Sequence, residues 1–165
     1  PEERFFLFAR ALKVAGSHMA PALRARAEEL DAALLALLLS HDRSRRDGVE
    51  PLRLQELRKK LLRAVPRRWR DEVESLVLEL RSHAAFSTRR IPSAVSSLGD
   101  RAALVLTGDT PAAVSGLLKI AGHELTAGPA GRLAAVAGTP EALALVHFAV
   151  SDAHFEARAQ AGVDR

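Results

Sequence analysis

The residues best suited to chemistry are His123 and Glu124, the pair His147 and His154, and a dense run of Lys and Arg between Arg58 and Arg70. His123-Glu124 begins like the zinc motif HExxH, in which two histidines one helical turn apart share a metal and the glutamate activates water. Four residues past His123 stands Ala127, and the Gly128-Pro129 that follows breaks the helix this motif needs. The pair therefore reads as a loop just beyond a helix closed by Gly122. His147, Ser151 and His154 share one helical face, but the two histidines are two turns, about 10 Å, apart and too distant to share a metal without a third element. They read as surface or interior histidines. Nothing here asks for a cofactor.

Arg58, Lys59, Lys60, Arg63, Arg67, Arg68 and Arg70 surround Trp69, the one tryptophan. A cationic surface with an aromatic on which a base can stack is the minimal equipment for nucleic acid. On helices these side chains spread around the surface, where Glu56, Asp71, Glu72 and Glu74 stand ready to pair with them. A solvated helical face is favoured. Arg58, Lys59, Lys60, Arg67, Arg68 and Trp69 are held as the nucleic-acid alternative.

Cysteine is absent, which removes disulfides, thiolate zinc sites and cysteine nucleophiles, and fits a cytoplasmic protein. No glycine-rich phosphate loop and no GxSxG elbow occurs, so no enzyme class has positive support. Net charge is +4, unevenly divided: residues 1–90 carry 19 Lys and Arg against 13 Asp and Glu, the rest 5 against 7. Because 20 of the 24 basic residues are Arg, the basic balance reads as codon usage of a GC-rich genome more than as a nucleic-acid signal.

The elements that must position these residues are helices. Hydrophobic residues make up 48% of the 165, yet aromatics only 4%, so the core is built from Leu, Ala and Val, which suits packed helices. Phe5, Phe8, Ala9 and Leu12 recur at helical spacing from Glu2 to about Ala15. A second helix is expected from Pro21 to Ser40, a mobile loop over 41–49, and a third helix from Pro51 to Val65. Pro66 starts a fourth carrying Trp69, Val73, Leu76, Val77 and Leu80. Ala84–Ser93 reads as a connector and Ala94–Leu106 as a buried helix. Thr110-Pro111 and Thr139-Pro140 each spell an N-cap followed by proline at the first helical position, the second opening a long helix that ends near Gly162. The expectation is an all-α single domain over 1–165, with six to eight helices and no sheet. The longest apolar run, Ala32–Leu39, is too short to span a membrane. Gly16-Ser17-His18-Met19 also matches a common cloning scar, and the start at Pro1 is read as that of a fragment.

Two stretches resemble a known family. Gly99-Asp100-Arg101-Ala102-Ala103-Leu104, then Gly108-Asp109-Thr110-Pro111-Ala112-Ala113 and Leu117-Leu118-Lys119, resemble a helix pair of HtpX-like zinc metallopeptidases, and Leu7-Phe8-Ala9-Arg10-Ala11-Leu12-Lys13-Val14 resembles their active-site helix. On that register the zinc-ligand positions are held by Arg10, Val14 and Ser96 and the general-base position by Ala11. The resemblance thus implies an inactive descendant. Ser151–Arg158 resembles the ending of similar inactive regions at the C-terminus of tetratricopeptide-repeat proteins from myxobacteria and relatives.

The function expected is a non-catalytic interaction or scaffold domain, binding a protein partner, the remainder of its own larger chain or a second copy. Ala32–Leu39 is apolar almost all round, and Phe6 points away from the Phe5/Phe8 face. The docking surface is accordingly expected at Phe6 and at the Leu35–Leu39 end of the second helix.

Overall fold

In a computed structural model the chain is described over residues 1–38, 51–124 and 128–163. Among these residues there are ten α-helices and no strand, an all-α architecture with more helices than expected. Two of the extra ones come from long periodic stretches that break in two, and a third, Pro129–Gly138, forms where no helix was expected. Contacts cluster into two compact units, Pro1–Leu23 with Ser93–Arg165, and Arg24–Pro92, where the sequence pattern suggested one domain. The expected loop over 41–49 lies outside the described residues.

The first unit holds α1 (Glu2–Gly16), α6 (Ile91–Thr107, from Ser93 onward), α7 (Thr110–Ile120), α8 (Pro129–Gly138), α9 (Pro140–Ala149) and α10 (Asp152–Ala161). Its core joins Phe6 and Ala9 of α1 to Ala103 and Leu104 of α6, Ala113, Leu117 and Leu118 of α7, and Ala142 and Leu145 of α9. Small residues let the helices approach closely. A Cβ on Gly99 of α6 would sit 2.9 Å from Val14 Cγ2, and one on Gly116 of α7 would touch Leu7 and Phe6 at 3.5 Å.

These contacts decide which face of α1 turns inward. Glu3, Phe6, Leu7, Arg10 and Val14 face the unit, and Phe5, Phe8 and Leu12 face solvent, 52%, 61% and 55% exposed. That is the reverse of the expected orientation. Apolar spacing alone favoured the Phe5/Phe8/Leu12 stripe, whereas the inward face carries two charges that find partners across the unit. Glu3 accepts hydrogen bonds from Ser115 and Lys119 of α7, and Arg10 reaches α6.

The second unit packs α3 (Ala27–Leu38) against α4 (Pro51–Ala64) and α5 (Arg70–Ser82), with 310 turns at Arg67–Trp69 and Thr88–Arg90. Ala36 and Leu38 of α3, Leu54 of α4 and Val77 of α5 are its buried apolar residues. The expected helix from Pro21 is interrupted: α2 (Ala20–Arg24) ends first, and α3 restarts behind Arg26. Arg26 is the N-cap, its amide donating to Glu29 Oε2 at 3.0 Å, the reaching-back half of a capping box. At the far end of α4, Arg70 donates to the carbonyls of Leu62 (2.6 Å) and Val65 (3.4 Å) and satisfies acceptors that a helix C-terminus leaves open.

Helix ends in the first unit correct several sequence expectations. At α7 the cap is Asp109, whose carboxylate accepts from the Ala112 amide at 2.8 Å. Thr110 is already helical, because an acidic side chain gains from the helix dipole as well as from the hydrogen bond. Gly122 closes α7 as expected, with φ +82 and bonds from Gly122 to Lys119 and from His123 to Leu118, the paired pattern of a Schellman cap. The same pattern closes α1, but there the left-handed position, φ +56, belongs to His18. Pro92 lies in the first turn of α6, not in a connector. The long helix after Pro140 breaks at Val150-Ser151, where the Ser151 hydroxyl donates to the Phe148 carbonyl at 2.7 Å.

Candidate functional site

The positions singled out on α1 and α6 converge inside the first unit. Arg10 Nε donates to Asp100 Oδ1 at 2.5 Å and Arg10 Nη2 to Ser96 Oγ at 3.3 Å. Val14 completes the group by packing on Gly99. The spacing explains the convergence. Residues 10 and 14 are one turn apart on α1, residues 96 and 100 one turn apart on α6, and Gly99 lets the two helices touch between them. Asp100 is almost wholly buried and Arg10 about a quarter exposed. Burial pushes the Asp100 carboxyl above the usual carboxylate range, and the Arg10 guanidinium opposes that rise. Ala11 faces solvent and stays outside the cluster.

Chemically the cluster is a neutralised ion pair with a hydroxyl beside it. A guanidinium bonded to a carboxylate is a poor base and cannot ligate a metal. Among the described residues no three His, Asp or Glu side chains are grouped so as to hold a metal ion.

The histidines are dispersed. His123 Nε2 lies 3.0 Å from the Thr139 hydroxyl, which itself donates to the Ala135 carbonyl at 2.8 Å. With that hydroxyl's single proton directed to the carbonyl, its oxygen is left to accept from a His123 Nε2–H. Thr139 therefore closes α8 and holds His123, and its side chain leaves the amides of α9 uncapped. His147 and His154 fall on different helices: His147 is exposed, and His154 is buried edge-on between the rings of Phe148 and Phe155.

In the second unit Lys59, Lys60, Arg67 and Arg68 are exposed and Arg58 is half-buried. Arg68 lies over the ring of Trp69, 5.6 Å from its centre, and Trp69 is 45% exposed. The basic run is thus divided between α4 and the 310 turn, with Arg70 committed to capping α4.

The expected docking residues need correction. Phe6 is fully buried at the centre of the first unit's core, so it is no surface residue. Leu35 is half-buried in α3, where every residue from Asp31 to Leu38 is at least partly covered, because α4, α5 and the Thr88–Arg90 turn all pack on this helix. Its all-round apolar character is satisfied within its own unit. Leu39 lies outside the described residues. Open apolar side chains include Phe5, Phe8 and Leu12 on the outer face of α1. Gly99 beside Asp100 was the available sequence signal, since a glycine inside an apolar helix marks close approach of another backbone and hence the face of α1 that must meet it.

No helix among the described residues is long and apolar enough to cross a membrane. No protein-family model matches the chain, and neither does any curated protein or solved structure.

Proposed function

We propose that the chain is a non-catalytic helical interaction domain built on a scaffold that resembles HtpX-like metallopeptidases, acting in the cytoplasm on a protein partner or within a larger chain. The observation that carries this reading is the Arg10–Asp100–Ser96 cluster. Two positions that the resemblance assigns to zinc ligands, Arg10 and Ser96, lie within hydrogen-bonding distance of each other, and the third, Val14, adjoins them across Gly99. On the register of that resemblance the metal-ligand positions are taken by an ion-paired arginine, a serine and a valine, which supports a scaffold held by packing in place of chemistry. Binding in place of chemistry is supported further by the exposed aromatic stripe on α1, since apolar residues grouped on a surface mark an interaction site.

The test is reconstruction. A chain carrying Arg10→His, Ala11→Glu, Val14→His and Ser96→Glu should acquire one zinc per chain by elemental analysis after dialysis, while the native chain acquires none and does not hydrolyse casein. A rebuilt chain that folds, by circular dichroism, but retains no zinc would count against the shared scaffold. Casein hydrolysis by the native chain would overturn the non-catalytic reading.

The alternative, a nucleic-acid module, is favoured by one observation, the half-exposed Trp69 with Arg68 over its ring. Affinity that depends only on phosphate contacts collapses between about 50 and 200 mM salt. A DNA or RNA complex that persists at 200 mM and is weakened by Trp69→Ala would favour this reading.

A further inference from the structure

Between α7 and α8 the first unit holds a half-open cleft of about 310 Å³, which none of Arg10, Ser96 and Asp100 lines. Thr110 and Pro111, then Val114 and Ser115, then Leu118 recur every four residues and present one face of α7 to it. Arg132 and Val136, one turn apart, present one face of α8. Its floor belongs to the core: Leu118 is buried, and Val114 and Val136 pack against the same apolar cluster. A mainly apolar concavity with a few polar groups at its edge is the ordinary make-up of a small-molecule site.

The commitments of those polar groups differ. Ser115 gives its proton to Glu3, and Lys119 pairs with the same carboxylate. Asp109, next to Thr110, accepts from the Ala112 amide at the start of α7. Arg132 is left over: among the described residues its side chain makes no hydrogen bond or ion pair, and neither does the Thr110 hydroxyl. The neighbouring position on α8 sharpens the point. Leu133 is turned to solvent, 71% exposed, while the charged Arg132 borders an apolar cleft, a reversal of the usual preference.

We propose that this cleft binds a small aliphatic or aromatic monocarboxylate, its carbon tail on Val114, Leu118 and Val136 and its carboxylate on the Arg132 guanidinium at the mouth. A guanidinium presents paired N–H donors that match a carboxylate bidentately. One cation suits one negative charge; the lining holds no second cation, and the Asp109 charge beside Thr110 disfavours a dianion such as a phosphate ester. An apolar cavity of about 150 Å³ holds benzene, with its six carbons. A cleft of about 310 Å³ thus accommodates about ten to twelve non-hydrogen atoms, the size of octanoate or decanoate.

Titrating the isotope-labelled chain with sodium octanoate near neutral pH, followed by amide NMR shifts, tests this. The expected result is saturable binding at one site with a Kd on the order of 1 mM, as suits about ten ligand atoms in a half-open site. Arg132→Gln should weaken octanoate about tenfold, leave the weaker binding of octanol within about twofold, and leave the melting temperature unchanged because Arg132 is exposed. Val136→Phe, which fills the cleft, should abolish binding of both while helicity is retained. Phe8→Asp on α1 should change neither, which separates the cleft from adsorption on exposed aromatic side chains. Octanoate that shows no saturation by about 10 mM, an affinity that survives Arg132→Gln, or one lost in Phe8→Asp would each overturn the proposal. A peptide ending in leucine that displaces octanoate at lower concentration would overturn the assignment to a small molecule. None of these results bears on zinc uptake by the rebuilt cluster, so the two readings can fail separately.

Discussion

Replacing Arg10 with alanine should be among the most damaging single changes in the first unit. The mutation leaves the Asp100 carboxylate, only 4% exposed, without the charged partner it has among the described residues, and Asp100 is too short and too deeply placed to reach water. Removing one member of a buried pair typically costs about 3–5 kcal/mol, which is a large part of a domain's total stability of about 5–15 kcal/mol. Asp100→Ala should cost less, about 1–3 kcal/mol, because Arg10 is a quarter exposed and its guanidinium can turn toward solvent while keeping Ser96. The double variant Arg10→Ala/Asp100→Ala should cost clearly less than the sum, with a coupling of about 1–3 kcal/mol. The apolar pair Arg10→Met/Asp100→Leu should lie near wild type. The Arg10→Ala penalty should also shrink as pH falls, because burial and, less strongly, the charge of Glu141 then act unopposed on Asp100 and hold its pKa above the unfolded value. The charge to be desolvated disappears below that raised pKa. Urea unfolding followed by far-ultraviolet circular dichroism at pH 7 and pH 4.5 reads all of these. An Arg10→Ala cost under about 1 kcal/mol, or one larger for Asp100→Ala than for Arg10→Ala, would refute the reasoning.

Hydrogen bonds from Lys119 and then Ser115 hold the Glu3 carboxyl below its ordinary value of 4.5; stability from this group is present above that value and lost as pH falls through the depressed folded one. Melting temperatures of wild type and Glu3→Gln should accordingly differ at pH 7 and converge in acid. Gly99→Ala should destabilise by about 1–3 kcal/mol through overpacking, since its Cβ would lie 2.9 Å from Val14 Cγ2. Adding Val14→Ala should recover part of that loss in denaturant titrations. His18→Gly should stabilise by about 1 kcal/mol, because His18 sits at φ +56, where only glycine avoids a steric cost; an unchanged or lowered melting temperature would contradict that account.

Much of the fold was open to reading in the residues themselves. Helical spacing of Leu, Ala and Val, with proline at helix starts and Gly122 and Gly162 at helix ends, establishes an all-α chain, since these preferences act over one or two turns and need no distant partner. The absence of cysteine and of intact catalytic motifs likewise follows from composition. Tertiary structure decided the rest. Period alone cannot say which of two faces of α1 turns inward when one holds Phe5, Phe8 and Leu12 and the other Phe6, Glu3 and Arg10. The choice was made by Asp100, Ser115 and Lys119, more than 85 residues away, and by the closeness that Gly99 and Gly116 permit. The same holds for α3, whose excess of apolar surface is absorbed by neighbours in its own unit, and for Thr139, whose hydroxyl serves α8 and His123 in place of α9. A local pattern specifies that a helix forms and roughly where it stops. Which face is buried depends on pairing energies between groups far apart in the chain, and those exist only once the helices have met.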